Sequence, residues 1–209
     1  MNVVQEKSEY WDSFYGSSGK SPPKVPSQFA TFAATEFNAR SAIVEIGCGN
    51  GRDAEFFSLF GFNVLAIDAS SQAIASCVEN RRGDAQYKHC QDGELKGAIE
   101  AFAKDHDKLC IYGRFFLHAI TEEEQQSLIH VLNQTLPATT MLAFEYRTLK
   151  DAEAEKEFGT HYRRFIDHGR LISTFESNGY DVLYEIEGRG FAKYKDEDAF
   201  VGRIVLEKR

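Results

Sequence analysis

The sequence has 209 residues, of which 43% are hydrophobic and 27% are charged, a composition typical of a globular protein with room for one full core. Its formal net charge of −8 argues against nucleic acid as a partner, because phosphate contacts need a basic face. No apolar run is long enough to cross a bilayer, and the first residues lack the apolar core of a signal peptide, so we expect a cytoplasmic protein without a membrane partner.

The cysteines give no sign of a metal site. Cys48, Cys77, Cys90 and Cys110 form no Cys-x-x-Cys pair. Cysteines of a cytoplasmic protein are normally reduced. We therefore expect four buried thiols and no bound metal.

Residues 1–40 are predicted to form a helical extension that precedes a main domain at 41–209. An aromatic run that includes Tyr10, Trp11 and Tyr15 favours a short helical turn. Three prolines between residues 22 and 26 predict a loop. Ser27 is a typical N-cap for the helix that follows. The chain is otherwise expected to be a single domain, since it shows no internal repeat.

A strand, a glycine turn and a helix are predicted between residues 42 and 60. Residues 42–46 are apolar except for Glu45, as expected of a parallel strand that is covered on both faces. Gly47, Gly49 and Gly51 follow at alternate positions, where glycine permits positive φ and lets a ligand approach the backbone. A phenylalanine-rich helix then leads to a second strand, which ends in Asp68.

These features favour a nucleoside site. Free N–H groups at the start of a helix attract an anionic group, and an acid at the end of the next strand can accept two hydrogen bonds from a ribose diol. A dinucleotide fingerprint would need glycine at position 52, which is Arg52. A ligand without a pyrophosphate therefore fits this turn better than NAD does.

The segment from Val44 to Gly51, together with Asp68, resembles motifs I and II of the class I S-adenosylmethionine (SAM) dependent methyltransferases. The resemblance implies SAM as the cofactor and S-adenosylhomocysteine (SAH) as the product. It places Glu45 and the glycines around the methionine part of SAM, and Asp68 on the ribose. An α/β glycine turn without a ligand is the alternative. The cofactor candidates of this segment are Glu45, Gly47, Cys48, Gly49, Asn50, Gly51, Asp53, Asp68 and Ala69.

Two further segments are implied by the resemblance. Tyr-Trp-Asp, followed by Pro-Ser-x-Phe-Ala, resembles the N-terminal lid of thiopurine- and tellurite-type small-molecule methyltransferases, so Tyr10, Trp11 and Tyr15 are candidates to cover the cofactor. The same aromatics could also anchor the extension to the core. After a third predicted strand at 85–90, the family contacts the adenine amino group, which implies Gln91, Asp92 and Gly93. Asp92 fits equally well as the cap of the next helix.

The fourth predicted strand, 109–112, leads into a segment that corresponds to motif IV of the family. Ligands of open α/β sheets bind at the carboxyl ends of such strands, where the strand order reverses. We expect Gly113 and Arg114 to contact the cofactor. Arg114 and His118 are four residues apart and are expected to share one face of a short helix.

Methyl transfer from a sulfonium is an in-line displacement in which much of the catalysis can be positioning. An alcohol or ammonium acceptor must also lose a proton, and His118 is the predicted base, unless it only packs the turn around it. Glu145, at the end of a fifth strand (141–147), is a second candidate base, a partner that orients His118, or half of a salt bridge with Arg114 or Arg147. Arg114 completes the predicted catalytic set.

The predicted acceptor carries an anionic group, such as a sugar phosphate, a glycan end or a carboxylate. Guanidinium groups suit phosphate and carboxylate. Arg163 and Arg164 could instead pair with the acids of residues 150–157. The stretches at 114–120 and 161–165 also resemble methyltransferases of bacterial surface-glycan and other small-molecule pathways. The substrate candidates are Arg147, His161, Tyr162, Arg163 and Arg164.

Helices and strands alternate along the chain, and a hairpin closes it. The predicted fold is α/β, a Rossmann-like doubly wound sheet of seven mostly parallel strands with a C-terminal antiparallel hairpin and helices on both faces. The predicted function is SAM-dependent methylation of a small molecule, with O-methylation favoured. The alternatives are a SAM-binding sensor or inactive partner subunit, and a nicotinamide oxidoreductase.

Overall fold

The computed structural model describes residues 10–15, 23–37, 42–91, 93–153 and 162–209. Within these ranges the helices are 10–15 (α1), Gln28–Glu36 (α2), Arg52–Leu59 (α3), Ser71–Asn80 (α4), Leu95–Ala103 (α5), Glu122–Thr135 (α6) and His168–Ser177 (α7), with a 3-10 turn at Leu149–Asp151. The strands are Ala42–Ile46 (β1), Asn63–Asp68 (β2), Gln86–His89 (β3), Leu109–Arg114 (β4), Met141–Arg147 (β5), Tyr180–Gly188 (β6) and Val201–Lys208 (β7). None of the described helices is long and apolar enough to cross a membrane.

The strands form a seven-stranded sheet in the order β3-β2-β1-β4-β5-β7-β6. β1 pairs in parallel with β2, β2 with β3, and β4 with β5. Parallel neighbours need a crossover connection, and helices α3, α4 and α6 supply it. β7 runs antiparallel to both β5 and β6. The predicted Rossmann-like α/β fold, with a mostly parallel sheet and a C-terminal antiparallel hairpin, is therefore confirmed.

The chain divides into two compact units, residues 1–107 and 108–209. In the first unit β1 is buried at every position, and Phe29 of α2 and Phe57 of α3 are fully buried. In the second unit Tyr112 of β4 and Phe144 of β5 are fully buried, as is most of β7. The boundary at residue 40 that the sequence suggests stays a prediction.

Side-chain caps determine where several helices begin. The hydroxyl of Ser27 caps α2 by accepting from the amide of Ala30, as predicted. Thr121 caps α6, and with Glu124 it forms a reciprocal capping box. The four cysteines are buried, which agrees with the sequence expectation.

The predicted short helix after β4 is wrong. β4 extends to Arg114, and Phe115 then adopts a φ of 56°. A residue in this left-handed region cannot continue a right-handed helix. His118 lies in a turn instead, so it does not share a helix face with Arg114. After β5, among the residues described up to 153, only Leu149–Asp151 are helical, and the turn is of the 3-10 type.

Candidate functional site

The glycine turn joins β1 to α3 in the first unit. Gly47, Gly49 and Gly51 have φ values of 75°, 53° and 71°, all in the left-handed region that favours glycine. The amides of Gly47 and Cys48 both donate to the carbonyl of Ile67, at 2.8 and 3.0 Å. The predicted requirement for positive φ at these glycines is therefore confirmed.

Two of these glycines also leave no room for a side chain. A Cβ atom at Gly51 would lie 2.7 Å from Sγ of Cys77 and 2.9 Å from the ring of Tyr87. A Cβ atom at Gly49 would overlap the hydroxyl of Tyr15. The thiol of Cys77 also donates to the carbonyl of Gly49 at 3.4 Å. Side chains from α1, α4 and β3 therefore hold the turn closely.

Asp68 closes β2 and contacts the glycine turn. Its Oδ2 accepts from the amide of Gly49 at 2.7 Å, and its Oδ1 accepts from the amide of Ser70 at 2.8 Å. Burial raises the pKa of Asp68, and the backbone hydrogen bonds oppose that rise. A carboxylate has about four lone-pair sites, so two backbone donors leave capacity for two ribose hydroxyls. The carbonyl of the adjacent Ala69 is held 3.0 Å from Nε2 of His89.

Glu45 is buried within β1, two residues before the first glycine. Its Oε2 has no hydrogen-bond partner within the described part of the chain. Desolvation raises the pKa of Glu45 well above its ordinary value, and the nearby charges of Asp53 and Asp68 add to the rise. A buried carboxyl oxygen without a partner is costly, so a positively charged or N–H-bearing group would be stabilised here.

The aromatic residues of α1 reach the same turn. Tyr15 lies against Gly49, and burial followed by the charge of Asp68 raises the pKa of its phenol. Trp11 stacks on Tyr15 with ring centroids 6.0 Å apart, and Tyr10 meets Trp11 edge-on at 5.1 Å. Tyr15 therefore contacts the candidate cofactor turn. A lid function for Tyr10 and Trp11 stays a prediction.

Asn50 and Asp53 tie the segment before α2 to the glycine turn. Nδ2 of Asn50 donates to the carbonyl of Pro23 at 3.0 Å. Asp53 is buried and accepts from both the amide and the hydroxyl of Ser27, each at 2.7 Å. Both side chains thus stabilise the surroundings of the turn, and a direct contact with the cofactor stays a prediction.

The adenine candidates lie after β3. The amide of Gln91 donates to Oε2 of Glu94 at 2.8 Å. Gly93 has a φ of 90°, and open space surrounds the position that its Cβ would take. Asp92 lies outside the described residues. An adenine contact by this turn stays a prediction.

In the second unit, three charged residues form one row across neighbouring strands. The register pairs Arg114 of β4 with Glu145 of β5, and Glu145 with Arg203 of β7. Glu145 is fully buried, and its two oxygens accept from Nε of Arg114 at 2.8 Å and from Nε of Arg203 at 2.7 Å. Gly113 precedes Arg114 within β4. Of the roles considered for Glu145, the structure shows the salt bridge with Arg114.

His118 lies in the turn after β4 and is 4% exposed. Its Nδ1 accepts a hydrogen bond from the amide of Arg147 at 3.1 Å. Because Nδ1 is an acceptor, the proton of the neutral ring lies on Nε2. In this tautomer His118 is a hydrogen-bond donor through Nε2 and is not arranged to take up a proton there. Its ring also packs 5.1 Å from that of Phe115. The role of His118 as a base stays untested, and these contacts favour the alternative in which His118 packs the turn around it.

Two of the predicted substrate arginines are engaged within the protein. Arg147 is buried and pairs with Asp151 at 2.6 Å and with Glu197. The amide of Arg164 donates to the carbonyl of His118 at 2.8 Å. Desolvation lowers the pKa of the Arg164 guanidinium. Arg147 and Arg164 therefore hold His118 and the turn after β4 in place.

The remaining substrate candidates are less enclosed. Tyr162 is 39% exposed and Arg163 is half-buried, while His161 lies outside the described residues. Arg164 also lines a cavity of about 290 Å³ next to α6 and α7. Within that wall it donates to Oε1 of Gln125 at 2.7 Å. Substrate binding by these residues stays a prediction.

Several residues of these clusters were missed from the sequence. Asp12 accepts from the N-cap hydroxyl of α4 at 2.7 Å and so holds α1 to that helix. Asp151 and Glu197 neutralise Arg147, and Arg203 completes the charged row. A signal for Arg203 exists, because it is a lone charge in the apolar run at 200–206. An isolated charge in a buried strand indicates a buried partner.

Residues 26–93 match the family model of the tellurite resistance protein TehB. This segment contains β1, the glycine turn, Asp68 and β3. No curated protein matches the chain.

The chain is similar in structure to solved methyltransferases. A SAM-dependent methyltransferase from Anabaena variabilis has a TM-score of 0.76 at 19% identity, over 100% of this chain and 96% of that chain. Magnesium protoporphyrin IX methyltransferase (ChlM) from Synechocystis, with bound SAM, has a TM-score of 0.67 at 10% identity, over 100% and 98%. The glycopeptide N-methyltransferase MtfA, complexed with SAM, has a TM-score of 0.64 at 14% identity, over 92% and 99%.

The strand order, the glycine turn and these likenesses agree with one another. At such identities the solved structures establish the fold, and the TehB match covers the segment that the motifs single out. The resemblance expected from the motifs is thus confirmed: the chain has the fold of the class I SAM-dependent methyltransferases, and its residues 26–93 are similar to the tellurite resistance protein TehB.

Proposed function

We propose that this protein binds SAM and transfers its methyl group to a small molecule, with SAH as the product. The observation that carries the proposal is the buried Oε2 of Glu45, which has no hydrogen-bond partner among the described residues and lies two residues before a turn of three glycines with positive φ. SAM has positive charges on its sulfonium and its α-ammonium group, and a buried carboxyl without a partner would attract such charges. Asp68 would accept hydrogen bonds from the ribose hydroxyls through its remaining lone pairs.

The arrangement of His118 and Glu145 supports an acceptor that is already ionised. Glu145 is held by two guanidiniums, and His118 uses Nδ1 to accept from the backbone. An ionised acceptor needs no protein base. The acceptor oxygen forms the new bond to the methyl carbon while the methyl–sulfur bond breaks, and the electron pair of the broken bond stays on sulfur. Positioning then supplies much of the rate. Among the predicted acceptors a carboxylate fits best, which also supports O-methylation.

Arg114 is the residue that we assign to the anionic group of the acceptor. Its guanidinium stacks over the ring of Phe115 at 4.1 Å and bonds to Glu145, so its orientation is fixed before a ligand arrives. A pre-oriented guanidinium suits a carboxylate or phosphate oxygen. The acceptor class is therefore a small anionic molecule.

A second candidate function is SAM binding without turnover, as a sensor or an inactive partner subunit. The same tautomer of His118 favours it, because a silent binder needs no base. A nicotinamide oxidoreductase fits less well, since α3 begins at Arg52, where the dinucleotide fingerprint has glycine.

Two measurements separate these functions. Calorimetric titration with SAM, SAH and NAD is expected to show binding of SAM and SAH but not of NAD. Incubation with methyl-tritiated SAM and a metabolite extract is expected to yield a labelled small molecule. Binding without transfer to any metabolite would support the sensor, and failure to bind SAM would overturn both SAM-dependent functions. Glu45→Gln is expected to weaken SAM binding, and Asp84→Asn, which changes an exposed acid outside the glycine turn, is its control.

A further inference from the structure

The cavity of about 290 Å³ in the second unit is formed mainly by α6, α7 and residues 164–167. Arg114, His118 and Glu145, the residues considered for the acceptor and the chemistry, are not among the described residues that line it. The cavity is therefore a separate candidate for ligand binding. The charged side chains of its wall are Glu122, Arg164, Asp167 and Arg170.

The two acids of the wall already have partners on α7. Nη2 of Arg170 donates to Oε1 of Glu122 at 2.6 Å. Oδ1 of Asp167, the N-cap of α7, accepts from the backbone amide of Arg170 at 3.0 Å. The wall is neutral in total, but within the described chain these pairings leave Arg164 as the charge that no carboxylate contacts.

The guanidinium of Arg164 hydrogen-bonds only to neutral oxygens within the described part of the chain. Its Nε donates to the carbonyl of Ile120 at 3.2 Å. Its Nη2 donates to Oε1 of Gln125 at 2.7 Å and to the carbonyl of Leu117 at 3.4 Å. None of these contacts uses Nη1, which keeps its two N–H groups for another acceptor.

The charge of Arg164 is incompletely balanced. Desolvation lowers the pKa of its guanidinium, and the charges of Glu122 and Glu123 oppose that fall from beyond ion-pair distance. A partly buried cation with no carboxylate beside it favours the arrival of an anion. Gln126 and Thr174 add neutral hydrogen-bonding groups to the wall, and such groups suit further oxygens of a small molecule.

We propose that this cavity is a binding site for a small oxygen-rich anion, a phosphate or a carboxylate, with Nη1 of Arg164 as the donor that anchors it. Guanidinium groups suit both kinds of anion. Nε and Nη2 of the same guanidinium hold the carbonyls of Ile120 and Leu117, so a bound anion would share Arg164 with the turn that carries His118. This inference goes beyond the proposed function, since it needs neither SAM nor methyl transfer.

Separate titrations of the full chain with inorganic phosphate and with acetate test this site. Arg164→Met removes the anchoring charge, and its control is Arg209→Met, because Arg209 pairs with Asp181 at the surface. Thr174→Leu fills part of the cavity and leaves Arg164 unchanged. Its matched control is Ser173→Leu, which changes an exposed neighbour on α7 that does not line the cavity. Amide chemical shifts in two-dimensional NMR at constant ionic strength measure both the affinity and the location of binding.

We expect phosphate to bind the wild type with a Kd of about 10 mM or tighter and to shift the amides of α6, α7 and residues 164–167. Arg164→Met and Thr174→Leu should each weaken binding about tenfold or more, while both controls stay near wild type. Acetate binding at the same residues also supports the site, and the tighter of the two probes identifies the preferred anion.

Three results would overturn the inference. They are the absence of such shifts with both probes at about 10 mM, unchanged affinity in Arg164→Met, and equal losses in Thr174→Leu and Ser173→Leu. If Arg164→Met does not fold, the comparison of the two leucine variants decides. Adding SAH should leave phosphate binding unchanged, whereas competition by SAH would place the anion at the glycine turn and would also refute the proposed site. Failure of the wild type to bind SAM would refute the proposed function alone.

Discussion

The amide of Gly49 donates to Oδ2 of Asp68 at 2.7 Å, which ties the turn after β1 to the end of β2. The two strands are parallel neighbours, with Ile46 paired to Ile67. One acid therefore has two tasks: it shapes the glycine turn, and it retains lone pairs that a ligand can use.

Asp68→Asn tests both tasks. The amide of asparagine keeps one acceptor oxygen, so one of the two backbone amides loses its partner. We expect the free energy of unfolding to fall by about 1–3 kcal/mol and SAM affinity to fall at least about tenfold. Denaturant unfolding and calorimetry measure the two effects. Asp84→Asn should change the stability by less than about 0.5 kcal/mol, since Asp84 is exposed. Wild-type SAM affinity in Asp68→Asn would contradict the ribose role.

Replacing Gly49 and Gly97 by alanine should have opposite effects on the free energy of unfolding. Gly49 has a φ of 53°, and its Cβ would overlap Tyr15, so Gly49→Ala should lower the free energy of unfolding by more than about 1 kcal/mol. Gly97 lies inside α5 with open space around the position that its Cβ would take. Gly97→Ala should therefore raise the free energy of unfolding by about 0.5–1 kcal/mol. Denaturant titrations measure both. Equal effects at the two positions would contradict the claim that the backbone and the packing of the turn require glycine at position 49.

The protonation of Glu45 should make stability depend on pH. Desolvation raises its pKa, so the folded, ligand-free protein keeps a proton that the unfolded chain releases above its ordinary pKa of 4.5. The free energy of unfolding should therefore fall as the pH rises from 4.5 through the raised pKa. Asp68 shifts in the same direction. Glu45→Gln should flatten the curve and raise the melting temperature at higher pH. Thermal unfolding over a pH series measures this, and an unchanged slope in the variant would contradict it.

His118→Asn tests whether His118 acts as a base. An asparagine oxygen can accept the hydrogen bond from the amide of Arg147 in place of Nδ1, but it cannot titrate. We expect methyl transfer to a carboxylate acceptor to stay within a few-fold of wild type, with an unchanged pH profile. A loss of about 100-fold or more, together with loss of one limb of the pH profile, would show instead that His118 is the base.

The features that the sequence predicted correctly are local. Glycines at alternate positions after an apolar strand indicated positive φ, and Ser27 indicated a helix start, because a few adjacent residues decide turns and caps. The alternation of helices and strands likewise predicted the fold, since parallel strands need crossovers.

The features that the sequence did not reveal depend on distant contacts. No residue pattern indicates that a phenylalanine will adopt a positive φ, so the sequence predicted a helix that includes Phe115. The sequence predicted that Arg147 would bind the substrate. Its pairing with Glu197 could not be seen, because Glu197 is fifty residues away. The pairing of Glu145 with Arg203 depends on the antiparallel register of β5 and β7. Such a register is specified by the whole strands rather than by a motif.

Calorimetric titration of the purified protein with SAM tests the central claim most directly. We predict saturable binding of one SAM per chain, tighter than about millimolar, with clearly weaker binding in Asp68→Asn and no binding of NAD. Absence of SAM binding at that concentration, or binding of NAD in its place, would contradict the assignment of the glycine turn, Glu45 and Asp68 to this cofactor.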